Sequence, residues 1–125
     1  NVDFRAMLEF HRSHRTLMTV AVAPYEVTVP YGVVELNDVC ITKLVEKPRQ
    51  RYFVNTGIYM LEPAACERIP RNQHYNMTDL IEQLLREGSP VIGFPVHEYW
   101  RDIGHPEDYV QANEDVQQLD EPIRK

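Results

Sequence analysis

Apolar positions in the first stretch of the chain recur at helical spacing. Phe4, Met7, Leu8 and His11 share a stripe, which predicts an amphipathic helix over 3–14 with Asp3 as its cap. Arg12, His14 and Arg15 suit the negative end of its dipole. The next run, Leu17 to Ala23, is β-branched, small and almost continuously apolar, as a strand buried on both faces would be. Pro24 is expected to end it.

From Tyr31 the pattern becomes that of paired strands. Gly32–Leu36 and Val39–Val45 flank a turn at Asn37-Asp38 and read as a hairpin, although the second strand alternates so imperfectly that its facing is ambiguous. Another strand is expected over 53–61, with Gly57 inside it marking a bulge or a close backbone approach. Pro63 opens a short helix over about 64–68. A stronger helical stripe follows in Leu80, Ile81, Leu84 and Leu85, capped by Asn76 with Asp79 behind it and closed by Gly88. Val91–Val96 reads as a short strand. A last helix opens near Pro106 with Glu107 and Asp108 at its positive end, then frays into a polar tail over 120–125. Strands alternating with helices, plus a lid-like hairpin, predict an α/β fold with a mixed sheet and a ligand crevice beside it.

Composition narrows the function classes. The 125 residues are 43% hydrophobic and 26% charged, which is ordinary for a globular domain, and they suffice for one domain or less. Net charge is −6. Nucleic-acid binding, which concentrates positive charge on one face, is therefore not expected. The longest nearly apolar run, Leu17 to Pro24, is too short for a membrane helix, so no membrane is expected; no signal peptide is visible, and the reading is cytoplasmic. Cys40 and Cys66 fit no metal or redox spacing and read as two buried, reduced thiols.

Three polar segments set among the strands carry the candidate chemistry. In Glu46-Lys47-Pro48, neighbouring residues of an extended segment point to opposite sides, so one charge could face a pocket while the other reaches a phosphate from the rim. A solvated strand end is the plainer alternative. Asn55 and Thr56 stand mid-strand among Val54, Ile58 and Tyr59, where a carboxamide must find hydrogen bonds, either with sugar hydroxyls or with nearby backbone. Gly57 would let the backbone come close to such a ligand. Asp102, in Trp100-Arg101-Asp102-Ile103-Gly104, precedes a helix start and could coordinate magnesium or help to cap that helix. His11 and His14 lack a third ligand at a sensible spacing and read as helix-end histidines rather than a metal pair. The basic turn Arg49-Gln50-Arg51 reads as a solvated tip.

Five pieces in this order resemble the sugar-1-phosphate nucleotidyltransferases, most closely the mannose-1-phosphate guanylyltransferase-like branch. They are Pro30-Tyr31-Gly32-Val33-Val34, Glu46-Lys47-Pro48, Val54-Asn55-Thr56-Gly57-Ile58-Tyr59, Met77-Thr78-Asp79-Leu80-Ile81 and the stretch 99–109 from Tyr99 to Tyr109. The resemblance implies a Rossmann-like nucleotide-diphospho-sugar transferase fold. It also implies a reaction in which a sugar 1-phosphate oxygen attacks the α-phosphorus of a nucleoside triphosphate and pyrophosphate leaves. Carried over by motif, Gly32 would line the sugar site, Glu46 and Asn55 would bind the sugar, Lys47 would neutralise its phosphate, and Asp102 would hold Mg2+. Thr56 and Gly57 would belong to the same substrate-binding segment, and Lys47 and Asp102 would be the catalytic pair.

The sequence starts at Asn1 and holds no glycine-rich phosphate loop. The expectation drawn from this is a truncated chain. Residues 1–125 would be the C-terminal, sugar-phosphate-binding half of the domain, lacking the nucleotide-binding half and inactive alone. A non-catalytic sugar-phosphate-binding or regulatory module is the alternative. Loss of the nucleotide half would expose the face of strand 17–23, and self-association through that sheet face is expected.

Overall fold

The computed structural model describes residues 2–97, 100 and 106–120, with side chains described as far as 115. These fall into two units: residues 2–96, and a segment from His97 onward. Within the second, Pro106–Asp120 forms a helix (α4) with Glu107 and Asp108 in its first turn. The polar tail over 121–125 lies outside the described residues.

The first unit is built on one central strand. After helix α1 (Phe4–His14), β1 (Met18–Thr28) pairs antiparallel with β4 (Arg49–Leu61) on one side and parallel with β5 (Val91–Pro95) on the other. Its middle is therefore paired along both edges and covered on both faces. One face packs Met18 and Val20 against Leu80 and Leu84 of α3 (Met77–Arg86) and Ala65 of α2 (Pro63–Cys66). The other packs Ala21 against Met7 of α1 and against Val96. Continuous apolar character in Leu17–Ala23 has this cause.

The caps form as the side-chain chemistry demands. The Asp3 carboxylate accepts from the Ala6 N–H at 2.9 Å at the start of α1. Asn76 and Asp79 form a reciprocal capping box at α3. Gly88, at φ +73°, turns the chain after α3, and the Ser89 N–H reaches back to the Leu84 carbonyl at 2.9 Å. Arg68 ties the far end of α3 to α2 through Glu87 at 2.7 Å, and that bond, with one from Gln83, holds the Glu87 carboxyl below the usual carboxylate range.

Between β1 and β4 the chain makes one long antiparallel ribbon with a joint. β2 (Gly32–Asn37) and β3 (Cys40–Glu46) form its outer arm, and residues 29–31 and 47–48 cross between the arms. Two backbone bonds tie the joint: Val29 N–H to the Pro48 carbonyl at 3.0 Å, and Lys47 N–H to the Tyr31 carbonyl at 3.1 Å. The register resolves the facing of β3. Val34 lies opposite Leu44 and Leu36 opposite Ile41, with Thr42 as an extra bulged residue, so these four apolar side chains share one face. Glu35 and Lys43, paired at 3.2 Å, take the other. A regular alternation fails because the bulge shifts the phase.

Several expectations are corrected. β1 does not end at Pro24 but runs on to Thr28. Pairing with β5 stops at Val22, so Pro24, two residues on and facing the same way, sits at an unpaired edge where its missing N–H costs nothing. The hairpin turn lies at Asp38-Val39, one residue later than expected, with Asp38 at φ +55°. Cys40 and Cys66 are both exposed thiols rather than buried ones. Of the α1 stripe only Met7 and His11 are buried, whereas Phe4 and Leu8 are exposed. The face of strand 17–23 expected to be exposed for self-association is covered among the described residues, by α2 and α3 on one side and α1 on the other. Exposed apolar side chains include Val33, Val34, Leu36, Ile41, Leu44 and Val45 on the outer arm.

Adjacent leucines in α3 make a stringent test of this packing. Leu84 is fully buried and Leu85 is 58% exposed. Leu84→Ala should lower unfolding free energy by about 2–5 kcal/mol in urea titration, whereas Leu85→Ala should cost well under half of that. Equal losses would contradict this burial pattern.

Candidate functional site

β4 cannot stay regular where it passes the middle of β1. Val20 pairs with Tyr59 and Val22 with Asn55, so Thr56, Gly57 and Ile58 together oppose Ala21 alone. Such a bulge leaves ladder groups without partners, and the side chains of the same segment supply them. The Thr56 hydroxyl donates to the Ala21 carbonyl at 2.8 Å. The Asn55 Oδ1 accepts from the Gly57 N–H at 2.8 Å, and the Asn55 Nδ2 reaches the Tyr59 hydroxyl at 2.9 Å. Gly57 takes φ +78°, a left-handed conformation that costs other residues about 1–2 kcal/mol.

Beside the bulge lies an open cavity of about 300 Å³ between the sheet and α3. Val20, Val22, Phe53 and Val91 contribute apolar wall from the sheet, and Ile81 and Leu85 from the helix. Gly93 keeps the floor low, since a Cβ there would stand 3.3 Å from Val22 Cγ2. Asn55 supplies the single polar side chain of this lining among the described residues. A hollow of this kind suits a ligand with an apolar face and a hydrogen-bonding rim.

The other expected residues lie at the joint of the ribbon. Gly32 pairs with Glu46, and a Cβ on Gly32 would come within 3.1 Å of Glu46 Oε2 and 3.2 Å of Leu44 Cδ1. Glycine at this position therefore makes room for the carboxylate. Lys47 is not extended, as the alternation argument required, but sits at φ +44°. The adjacent charges are set apart by a backbone kink rather than by strand pleating. From Arg49 to Asn55, β4 covers roughly 20 Å at about 3.3 Å per residue. Gly32, Glu46 and Lys47 thus form one group at the joint, and Asn55, Thr56 and Gly57 form a second at the bulge.

Asp102 lies outside the described residues. Among the described residues no group of three or more His, Cys, Asp or Glu side chains could hold a metal ion. The two α1 histidines are engaged elsewhere. His14 Nδ1 meets the Phe10 carbonyl at 2.8 Å. His11 bridges the Thr19 hydroxyl at 2.7 Å and Glu62 at 3.0 Å, pinning α1 to the sheet. No described helix is long and apolar enough to cross a membrane.

A family model described as nucleotidyl transferase matches residues 1–119. The chain belongs to the nucleotidyl transferase family. That match does not mark the chain as the C-terminal half of a domain. The catalytic subunit beta of mannose-1-phosphate guanylyltransferase from Drosophila pseudoobscura pseudoobscura is 30% identical over 110 residues, 86% of this chain and 29% of the relative. A UTP–glucose-1-phosphate uridylyltransferase from Synechocystis is 32% identical over 120 residues, 90% of this chain and 31% of the relative. This nucleotidyl transferase chain therefore spans about a third of the length of the curated relatives it matches. The structure of HddC from Yersinia pseudotuberculosis has the same fold, with a TM-score of 0.58 at 23% identity, covering 92% of this chain and 50% of that one. The relatives are sugar-1-phosphate nucleotidyltransferases, and they differ in both sugar and base.

Reasoning from sequence missed Tyr59, Phe53 and Gly93. Asn55-Thr56-Gly57 did carry a usable signal, because an Asn two residues before a Gly is the pattern of a side chain accepting from the backbone at a turn. Phe53 and Gly93 meet only because β4 and β5 flank the same central strand.

Gly57→Ala isolates the backbone cost, since a Cβ there would meet nothing within 4 Å. The variant should lose about 1–2 kcal/mol of stability in denaturant unfolding from the left-handed φ alone. Unchanged stability would mean that β4 does not hold this bulge.

Proposed function

We propose that this chain provides the sugar-phosphate side of a nucleotidyl transfer, in which a sugar 1-phosphate oxygen attacks the α-phosphorus of a nucleoside triphosphate and pyrophosphate leaves. The observation that carries this reading is the carboxamide of Asn55, held by a glycine bulge at the rim of an otherwise apolar hollow. A hexose has a C–H face for the valine and phenylalanine walls and hydroxyls for the amide. The family match supports the class of reaction, and the difference among relatives in sugar and base keeps the proposal at that class.

The remaining roles follow the motif, and they require the ribbon to bring the joint over the hollow, because along an extended β4 the two groups stand roughly 20 Å apart. Glu46, given room by Gly32, accepts hydrogen bonds from sugar hydroxyls. Lys47, with its side chain exposed at the joint, neutralises the phosphate. Asp102 is proposed as the ligand of Mg2+. Transfer of this kind needs positioning and charge neutralisation more than a protein nucleophile, which accords with these residue types. The 125 residues hold no glycine-rich phosphate loop, and we propose that they bind sugar phosphate without turning it over.

Calorimetry on the 125-residue chain with glucose 1-phosphate and mannose 1-phosphate tests this directly. Binding is expected for at least one of them, and Lys47→Ala should weaken it by about 1.5–3 kcal/mol, the worth of a hydrogen bond to a charged group. Loss of triphosphate binding alone in the Lys47 variant would contradict its role. Binding with no pyrophosphate released in the presence of triphosphate and Mg2+ fits the proposal, whereas release would refute the claim of inactivity. No binding of either sugar phosphate would remove the reading.

A further inference from the structure

We propose that Tyr59 is the positioning residue that sets the direction of the Asn55 amide toward its ligand, a role that rests on the sugar-phosphate reading above. The geometry fixes the amide without ambiguity. The Gly57 N–H can only donate, so the Asn55 atom it meets at 2.8 Å is the carbonyl oxygen. The nitrogen therefore faces Tyr59, 2.9 Å away, and the tyrosine hydroxyl accepts. One N–H of the amide is used in that bond and the other remains for a ligand. The side chain accordingly offers a donor outward, selecting an oxygen that accepts, such as a sugar hydroxyl or ring oxygen.

Tyr59 can hold this setting because its ring is anchored. It pairs across the sheet with Val20 and packs against the cluster of Met18, Val20, Leu80 and Leu84. Asn55 itself is exposed, with no comparable packing to fix its torsion angles. Rigidity thus passes from the core, through the phenol ring and its oxygen, to the one polar side chain that lines the cavity among the described residues. Without the acceptor, the amide could turn and release the Gly57 N–H.

Tyr59→Phe removes only the oxygen and keeps the ring in the core. Amide exchange followed by NMR, together with calorimetry with glucose 1-phosphate and mannose 1-phosphate, reads both ends of the chain of contacts. We expect the Gly57 amide to exchange several-fold faster while its neighbours in β4 keep their protection. Hexose phosphate affinity should fall about fivefold, as for one neutral hydrogen bond. Adding Asn55→Ala to Tyr59→Phe should then cost less than Asn55→Ala does alone. Unchanged exchange at Gly57 in Tyr59→Phe would overturn the positioning role. Faster exchange at Gly57, with affinity unaltered in Tyr59→Phe and in Asn55→Ala, would overturn the proposal by a different route, showing that the amide is held by Tyr59 but does not touch the sugar. Full additivity of the two variants would likewise count against it.

Discussion

The bond from the Thr56 hydroxyl to the Ala21 carbonyl is the contact around which the site is arranged. β1 is paired on both sides at this point, so its carbonyl cannot turn to water, and a bulge in β4 would leave it bare. A bare buried acceptor costs about 1–3 kcal/mol. Threonine meets that demand with a hydroxyl reaching in from the bulged strand. Once the carbonyl is satisfied, β4 is free to carry Thr56, Gly57 and Ile58 opposite one residue. Gly57 can take its left-handed turn, and Asn55 can fold back over it. The same device recurs in miniature at β3, where the Thr42 hydroxyl donates to the Glu35 carbonyl at 3.2 Å beside the second bulge.

This arrangement explains why the candidate chemistry stands on the ribbon while the core lies in layers around β1. Helices α1, α2 and α3 supply the apolar cover, and among the described residues no buried side-chain nitrogen or oxygen lacks a partner. Among the candidate residues, polar groups with spare capacity lie on exposed parts of β3, β4 and the joint between them. Asn55 has one amide hydrogen left over, Glu46 has a carboxylate beside a glycine, and Lys47 stands on a kinked backbone. The bulge and the joint are both departures from regular pairing. Each depends on a residue in the left-handed region, Gly57 in one and Lys47 in the other.

The carboxamide of Asn55 stands on a strand with a defined direction. An exposed Asn side chain has rotational freedom that a ligand would have to remove on binding. Here two local bonds remove it beforehand, one from Gly57 and one to Tyr59. The amide is thus held in one direction on a rigid element, with the supporting contact drawn from the core. His11 plays a comparable structural part on the opposite face, where it links α1, β1 and the start of α2 through Thr19 and Glu62.

Much of the fold was legible in the residues. Helix stripes and caps follow from short-range chemistry, so Asp3, Asn76, Asp79 and Gly88 announced α1 and α3 closely. The buried character of Leu17–Ala23 and the irregularity at Gly57 were equally local signals, and the ordered motifs carried the family. What sequence reasoning could not reach depends on partners distant in the chain. Pro24 continues a strand because β5 stops alongside Val22, and Cys40 and Cys66 are exposed. Lys47 leaves the extended region because two ribbon arms are tied together at Tyr31 and Pro48. The sequence by itself determined the elements and the family, since periodicity, caps and motifs are properties of neighbouring residues. Only the tertiary structure decided that Asn55, Phe53, Ile81 and Gly93 line one hollow, because that meeting is set by the register of three strands and the seat of one helix.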